Sequence, residues 1–279
     1  MPVEQKIFGL IAGGNMLPVE FVRAKEKNGI DRIVTVGIRG CGVMEEVKEK
    51  SDHYEEVSIT QLGKLIKIFH AQNVRSAVML GSVAPKMTIA DLRLDWRLMK
   101  LALTTKDRRA DSVLGAIANE FGREGIEIKN TTDYLPQILL PEGLLCGEEP
   151  TEKQMSDVCL GVKLALVSGG HDIGQSVVIK DQAVVCVEAM EGTDRCIRRA
   201  GEFTENAVVV KMAKPKQDLR FDVPCLGPTT IESMVAAKAK VLAAEAGKTF
   251  LLEPQKTLEA AMRNGITILG VKGSLGEKA

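Results

Sequence analysis

Three blocks of this 279-residue sequence carry side chains that could do chemistry. In "AVVCVEAMEGTD" (183–194), period-two alternation puts Val184, Cys186, Glu188 and Met190 on one strand face and Val185, Val187, Ala189 and Glu191 on the other. Glu188 therefore keeps apolar company, and a carboxylate buried there must be hydrogen-bonded, paired with a cation or protonated. Glu191 falls where the strand ends; Gly192-Thr193-Asp194 then turns the chain into a helix, with Asp194 placed to cap it. The block reads either as a structural buried pair with an N-cap or as an acid cluster suited to Mg2+ or to orienting substrate donors.

The second block, "KMAKPKQDLRFDVPCLGPTT" (211–230), follows the apolar run Val208-Val209-Val210. An extended 218–223 would point Asp218, Arg220 and Asp222 one way and Leu219, Phe221 and Val223 the other. With Lys211, Lys214 and Lys216 just before it, such a row sets hard oxygen ligands beside phosphate donors, the equipment of metal-assisted phosphoryl chemistry. A solvated amphipathic edge strand is the plainer reading. Thr229 and Glu232 have capping-box spacing, which predicts a helix N-terminus facing the same space.

The third block is "GLIAGGNMLP" (9–18), with Gly13-Gly14-Asn15 between a strand and a helix, where backbone N–H groups can approach an anion. An ordinary tight turn explains the glycines equally well. The pattern is not GxGxxG, and the second strand ends in "GIRGCG" without a ribose-binding acid. That disfavours a nicotinamide enzyme and leaves a nucleotide or sugar phosphate. Gln175, after Gly174, is a candidate polar contact; His171 and Asp172 are neighbours whose side chains would diverge on a strand.

The elements that must position these blocks follow from periodicity. Residues 7–11, 32–37, 55–59 and 76–80 read as strands, with helices over 18–28, 61–72 and roughly 89–124. The prolines and glycines of 132–150 suggest a linker. Beyond it come helix 152–167, a hairpin over 176–190 turning at Asp181-Gln182, a helix near 194–200 and strand 207–212. Helix 230–246, strand 249–252, helix 257–263 and strand 267–271 complete the pattern. Strands alternating with helices imply a mainly parallel sheet covered on both faces. The expected fold class is α/β: a Rossmann-like domain over 1–131, a linker over 132–150 and a second α/β domain over 151–279, with a cleft between the domains for a ligand.

Composition narrows the function. Hydrophobic residues make up 45% of the chain, enough for a sizeable core, and 37 basic residues balance 37 acidic ones. That balance argues against a general nucleic-acid binder. The six cysteines show no CxxC pair and read as reduced core thiols of a cytoplasmic protein. No signal peptide or spanning helix is visible. Residues 86–109 carry seven basic and three acidic side chains, with Leu92, Trp96, Met99 and Leu103 at helical spacing. This stripe reads as core with a solvated flank, or as a surface for anionic membrane or acyl chains.

Taken in order along nearly the whole chain, these blocks and "DIGQSVVI" resemble the UDP-2,3-diacylglucosamine pyrophosphatases of the LpxI type. The VEAxEGTD and KPxQxxRxDxPxxG patterns are the specific parts. The resemblance implies two α/β domains and Mg2+-dependent hydrolysis of a lipid-linked nucleotide-sugar, giving UMP and 2,3-diacylglucosamine 1-phosphate in lipid A synthesis. Water would attack the β phosphorus. Asp222 is carried over as catalytic, with Glu191 and Glu188 beside it, and Asp222, Asp194 and Glu191 as Mg2+ ligands. Gly13, Gly14, Asn15, Asp111, Gln175, Gly192, Thr193, Lys214, Gln217, Arg220 and Thr229 are the substrate-binding candidates. Ala110 stands where the family often has the first of two aspartates, and Asn15 where glycine is common. Peripheral contact with the inner membrane and a homodimer are compatible with this reading; a nucleic-acid partner is not. A nucleotide-sugar transferase, or a non-catalytic nucleotide or lipid binder, is the alternative.

Overall fold

The computed structural model describes residues 5–83, 95–97 and 110–278. The chain divides into two compact units. Unit 1 comprises Met1–Pro136 with Asp218–Asp222, and unit 2 comprises Gln137–Gln217 with Val223–Ala279. Five residues from the second half of the sequence thus belong to the first unit.

Unit 1 is built on strands β1 (Ile7–Ala12), β2 (Arg32–Ile38), β3 (His53–Val57), β4 (Ser76–Leu80) and β5 (Glu127–Ile128). They form an all-parallel sheet in the order β3-β2-β1-β4-β5. β1 and β2 are nearly continuous apolar runs because helices cover both faces of such a sheet. Helices α1 (Leu17–Arg23), α2 (Glu45–Lys50), α3 (Leu62–Ala71) and α4 (Ala110–Arg123) supply the cover. On α3, Leu62, Leu65, Ile66 and Phe69 recur at helical spacing and are buried, with Phe69 packed 6.2 Å from Phe121 of α4. The strand order reverses between β1 and β4, the switch point where α/β sheets usually take ligands.

Unit 2 contains β6 (Gly143–Cys146), α5 (Glu152–Gly170), β7 (Ser176–Lys180), β8 (Ala183–Val187), α6 (Thr193–Ala200) and β9 (Val208–Lys211). β10 (Cys225–Leu226), α7 (Pro228–Ala236), β11 (Val241–Glu245), β12 (Phe250–Leu251), α8 (Pro254–Arg263) and β13 (Thr267–Val271) follow. The main sheet runs β6-β13-β11-β9-β7-β8, with β9, β11 and β13 parallel and the outer strands antiparallel. β10 and β12 form a separate parallel pair. Val209, Leu242 and Ile268 face one core with residues of α6 and α7, while Val208, Val210 and Ala243 face another with Val158 and Val162 of α5. A capping box, Thr151 with Gln154, starts α5.

The structure departs from the sequence reading in several places. The expected helix 230–246 is a shorter helix followed by a strand: α7 ends at Ala236, Lys238 takes φ 52°, and β11 is buried along its whole length in the sheet centre. Part of the 132–150 stretch, Gly143–Cys146, is a strand paired with β13. Of the expected helix over 89–124, the described residues contain Ala110–Arg123, and Leu92, Met99 and Leu103 lie outside the described residues. Between the two undescribed stretches, Asp95 accepts a hydrogen bond from Gly63 N, Arg97 pairs with Glu120 and Glu124, and Trp96 is 73% exposed. No helix among the described residues is long and apolar enough to cross a membrane.

Candidate functional site

At one end of the unit 2 sheet, parallel β9 finishes beside the start of β7 and the end of β8. Ser176 pairs with Lys211, and Glu188 N donates to Ser176 O. Lys211 closes the run Val208-Val209-Val210 and is buried with it at 6% exposure. Its Nζ donates to Thr193 Oγ1 at 3.1 Å and to the Cys225 carbonyl at 3.0 Å. The Thr193 hydroxyl donates in turn to Glu188 Oε1 at 3.2 Å, with Ser176 Oγ 3.3 Å away. Glu188 is buried, but it lies just past the end of β8, and Val184 and Met190, expected on the same face, are exposed. Among the described residues its Oε2 has no hydrogen-bond partner, nor has the buried Oε1 of Gln175. A buried acceptor without a donor is costly unless a ligand serves it.

This cluster backs a cavity of about 430 Å³ lined by Glu191, Gly192, Thr193 and Asp194, by Arg195 and Arg198, by Lys211 and Cys225, and by Thr229 and Thr230. The first turns of α6 and α7 both open on it, each bringing the positive end of a helix dipole; in α7, Pro228 has no N–H and the Thr230 amide already donates to Gly227 O. The expected Asp194 cap is not formed. Gly192, at φ 81°, is the N-cap, a conformation that suits glycine, and Asp194 sits half-buried in the first turn. The expected Thr229–Glu232 box is likewise replaced by a helix that begins at Pro228 behind Gly227, because proline presets the first turn. Glu191 clasps its own turn. One carboxylate oxygen accepts from Ala189 N and the other pairs with Arg199 at 2.5 Å, a contact that holds its pKa below the ordinary value.

The block 211–230 is not an extended row. Lys214-Pro215-Lys216-Gln217 is a turn closed by Gln217 N to Lys214 O, with Gln217 Oε1 accepting from Lys214 N. Lys214 Nζ pairs with Asp172 at 2.6 Å, so Asp172 meets a lysine rather than His171. Asp218–Asp222 is a second turn, closed by Asp222 N to Asp218 O, and it belongs to unit 1. There Thr131 donates through both N and Oγ1 to Leu219 O, and Phe221 packs on the core that contains Phe69 and Phe121. Arg220 Nε donates to Asp218 Oδ1 at 2.9 Å and Nη2 to Oδ2 at 2.5 Å, while the guanidinium lies 5.5 Å from the centre of the Phe221 ring. The local pairing of Asp218 with Arg220 and the burial of Phe221 outweigh the extended conformation.

In unit 1, Gly13 and Gly14 sit at the switch point, but their N–H groups donate to Leu80 O and Ser82 O, both at 2.8 Å. A Cβ at Gly13 would strike the Ser82 carbonyl, and one at Gly14 that of Cys41. The glycines therefore admit neighbouring backbone, and these two amides are not available to an anion. Asn15 takes φ 77° and its Oδ1 accepts from Leu17 N, so it fills a left-handed position where glycine is the default. Asp111 lies at the start of α4, and its side chain is outside the described residues.

Sequence reasoning singled out Gly192, Thr193, Asp194, Glu191 and Thr229, which line one cavity, but not Arg195, Arg198, Cys225 or the role of Lys211. The signal for Lys211 was present: a lysine ending a fully apolar run on a central strand. No disulfide joins the six cysteines, and burial pushes the Cys196 thiol up to about 12 and raises Cys186.

A Rossmann-type unit followed by a second α/β unit with a cation-lined cavity at its strand ends defines a two-domain α/β protein suited to an anionic ligand. The LpxI N-terminal domain family matches residues 7–138 and the LpxI C-terminal domain family residues 141–269, and the chain belongs to the LpxI family. It is 30% identical, over 94% of this chain and 96% of the other, to the UDP-2,3-diacylglucosamine pyrophosphatase LpxI of Caulobacter vibrioides. A solved phosphoribosylglycinamide synthetase from Anaerococcus prevotii overlaps 74% of this chain and 45% of its own at 10% identity, with a TM-score of 0.26, too low to carry an argument.

Proposed function

We propose that the chain is a hydrolase that cleaves the pyrophosphate bond of UDP-2,3-diacylglucosamine to UMP and 2,3-diacylglucosamine 1-phosphate in lipid A synthesis. The observation that carries this reading is the likeness to the Caulobacter relative over 94% of this chain and 96% of the other. The unit 2 cavity supports it chemically: Lys211, Arg195, Arg198 and two helix N-termini suit a phosphorylated ligand. The reading places the protein in the cytoplasm, in peripheral contact with the inner membrane that holds its lipid substrate.

In this proposal water adds to the β phosphorus, the bond to the bridging oxygen breaks, and UMP leaves with that oxygen. Asp222 positions and deprotonates the water, while Lys214 and Arg220 hold the phosphate groups. Glu188 fixes the Thr193 hydroxyl, and Glu191 keeps the turn before α6 closed.

Mg2+ is part of the proposal. Among the described residues no three His, Cys, Asp or Glu side chains gather as a ready cage. Mg2+ commonly takes only one or two carboxylates together with substrate phosphates. The carboxylate of Asp194 at the cavity wall and the partnerless Glu188 oxygen behind it fit a cation that arrives with the diphosphate. Asp194 would hold it, and when bound it would neutralise charge on the diphosphate. Incubation with UDP-2,3-diacylglucosamine and Mg2+, without any acceptor, should release UMP, and Asp222→Ala should stay folded, keep the lipid and lose turnover. Absence of UMP release, or near-native turnover by Asp222→Ala, would remove the reading or the residue.

A further inference from the structure

We infer that Lys211 anchors an anion site within unit 2 and holds the phosphoryl part of the ligand there. Lys211 is buried, yet its ammonium is met by two neutral oxygens, Thr193 Oγ1 and the Cys225 carbonyl. Among the described residues no carboxylate forms an ion pair with it. An ammonium has three donors, so two bonds leave one N–H over, and the nearest carboxylate, Glu188, is reached only through the Thr193 hydroxyl. Burying such a charge is expensive unless a partner of opposite sign arrives.

The neighbourhood shows what that partner is. Because Lys211 donates to Thr193 Oγ1, the threonine must aim its own proton at Glu188, so Thr193 and Glu188 are engaged with each other. The remaining direction is the cavity that Lys211 itself lines, where Arg195, Arg198, the first turn of α6 and Thr229-Thr230 of α7 add positive potential. Of the two acids on the wall, Glu191 is already neutralised by Arg199. The site therefore takes a small, multiply charged oxyanion of the phosphate or diphosphate class. Identifying that anion with the diphosphate of a nucleotide-sugar rests on the proposed function; the anion site does not.

Inorganic pyrophosphate is the probe, titrated calorimetrically into the full chain, with melting temperatures recorded alongside. The wild type should bind and melt higher with pyrophosphate. Lys211→Met should melt, unliganded, no lower than the wild type and lose affinity by about tenfold or more, and Lys211→Arg should recover part of it. A wild type that does not bind pyrophosphate, a Lys211→Met that binds it unchanged, or one that melts well below the wild type would each overturn the anchor. Should Lys211→Met not fold, Lys211→Gln carries the same test, and unchanged affinity again overturns it. The two readings fail separately. Lysine-dependent pyrophosphate binding without lipid-nucleotide hydrolysis sinks only the proposed function, and hydrolysis with lysine-independent pyrophosphate binding sinks only the anchor.

Discussion

Lys211 and Glu188, opposite in charge and both buried, meet at one atom: Thr193 Oγ1 lies 3.1 Å from the ammonium and 3.2 Å from the carboxylate. The threonine is the first residue of the helix that opens on the cavity, so this hydroxyl ties the start of α6 to the end of β9 and to the residue that follows β8. Thr193→Val keeps the shape and removes the hydroxyl, leaving each buried charge short of a partner. The expected cost is about 1–3 kcal/mol, read by urea denaturation, whereas Thr193→Ser should lie close to the wild type. Equal stability of the valine variant would show that the hydroxyl carries no load.

The pair Asp218–Arg220 gives a pH signature. The Arg220 hydrogen bonds hold the Asp218 carboxyl below its ordinary value of 3.8. A carboxylate whose folded pKa is depressed stabilises the fold above its unfolded value and loses that contribution as pH falls through the folded one. Arg220→Met should therefore be less stable than the wild type at neutral pH, with the gap closing only below about pH 4. Thermal melts of both proteins from pH 7 down to pH 2.5 check this; a gap that stays constant over that range would contradict it.

Asp157, buried on α5, accepts from the backbone N–H groups of Asp181 and Gln182 and from the Gln182 side chain, the two residues that turn β7 into β8 with φ 50° and 61°. Asp157→Ala removes a charge-assisted clamp and should cost about 3 kcal/mol. Denaturant midpoints measure it, and a loss under about 0.5 kcal/mol would mean that the hairpin turn holds itself.

Lys238 pays for a left-handed backbone, φ 52°, where the chain leaves α7 and drops into β11. Its ion pair with Glu205 is exposed and worth little. Lys238→Gly should be neutral or stabilising by up to about 1 kcal/mol, measured by thermal unfolding; a clear loss would assign the lysine another role.

What the sequence made legible was local. The strand Thr267–Val271 follows from a short apolar run bounded by turn residues, and the hairpin turn at Asp181-Gln182 from the break between two apolar runs. β11 was hidden because "VLAAE" lies buried on both faces and so shows no alternation, while its leucine, alanines and glutamate favour a helix. Tertiary burial overrode propensity there. The Asp218–Asp222 turn was hidden for a different reason: its stability comes from Thr131 and the Phe69–Phe121 core, residues distant in the chain. In the candidate site, the glycine, threonine and acid of the EGTD block could be read as a group, but Lys211 looked like one of several surface lysines because burial is not written in a single letter.

Because Asp218–Asp222 belongs to unit 1 while its flanks belong to unit 2, the peptide passes between the units three times. A fragment stopping at Pro136 would lack the Leu219 carbonyl that Thr131 donates to and the ring that fills out its core. Swapping front and back halves among relatives would therefore pair each front half with a foreign Phe221, and the unit 1 core of such a hybrid would have to be rebuilt around it.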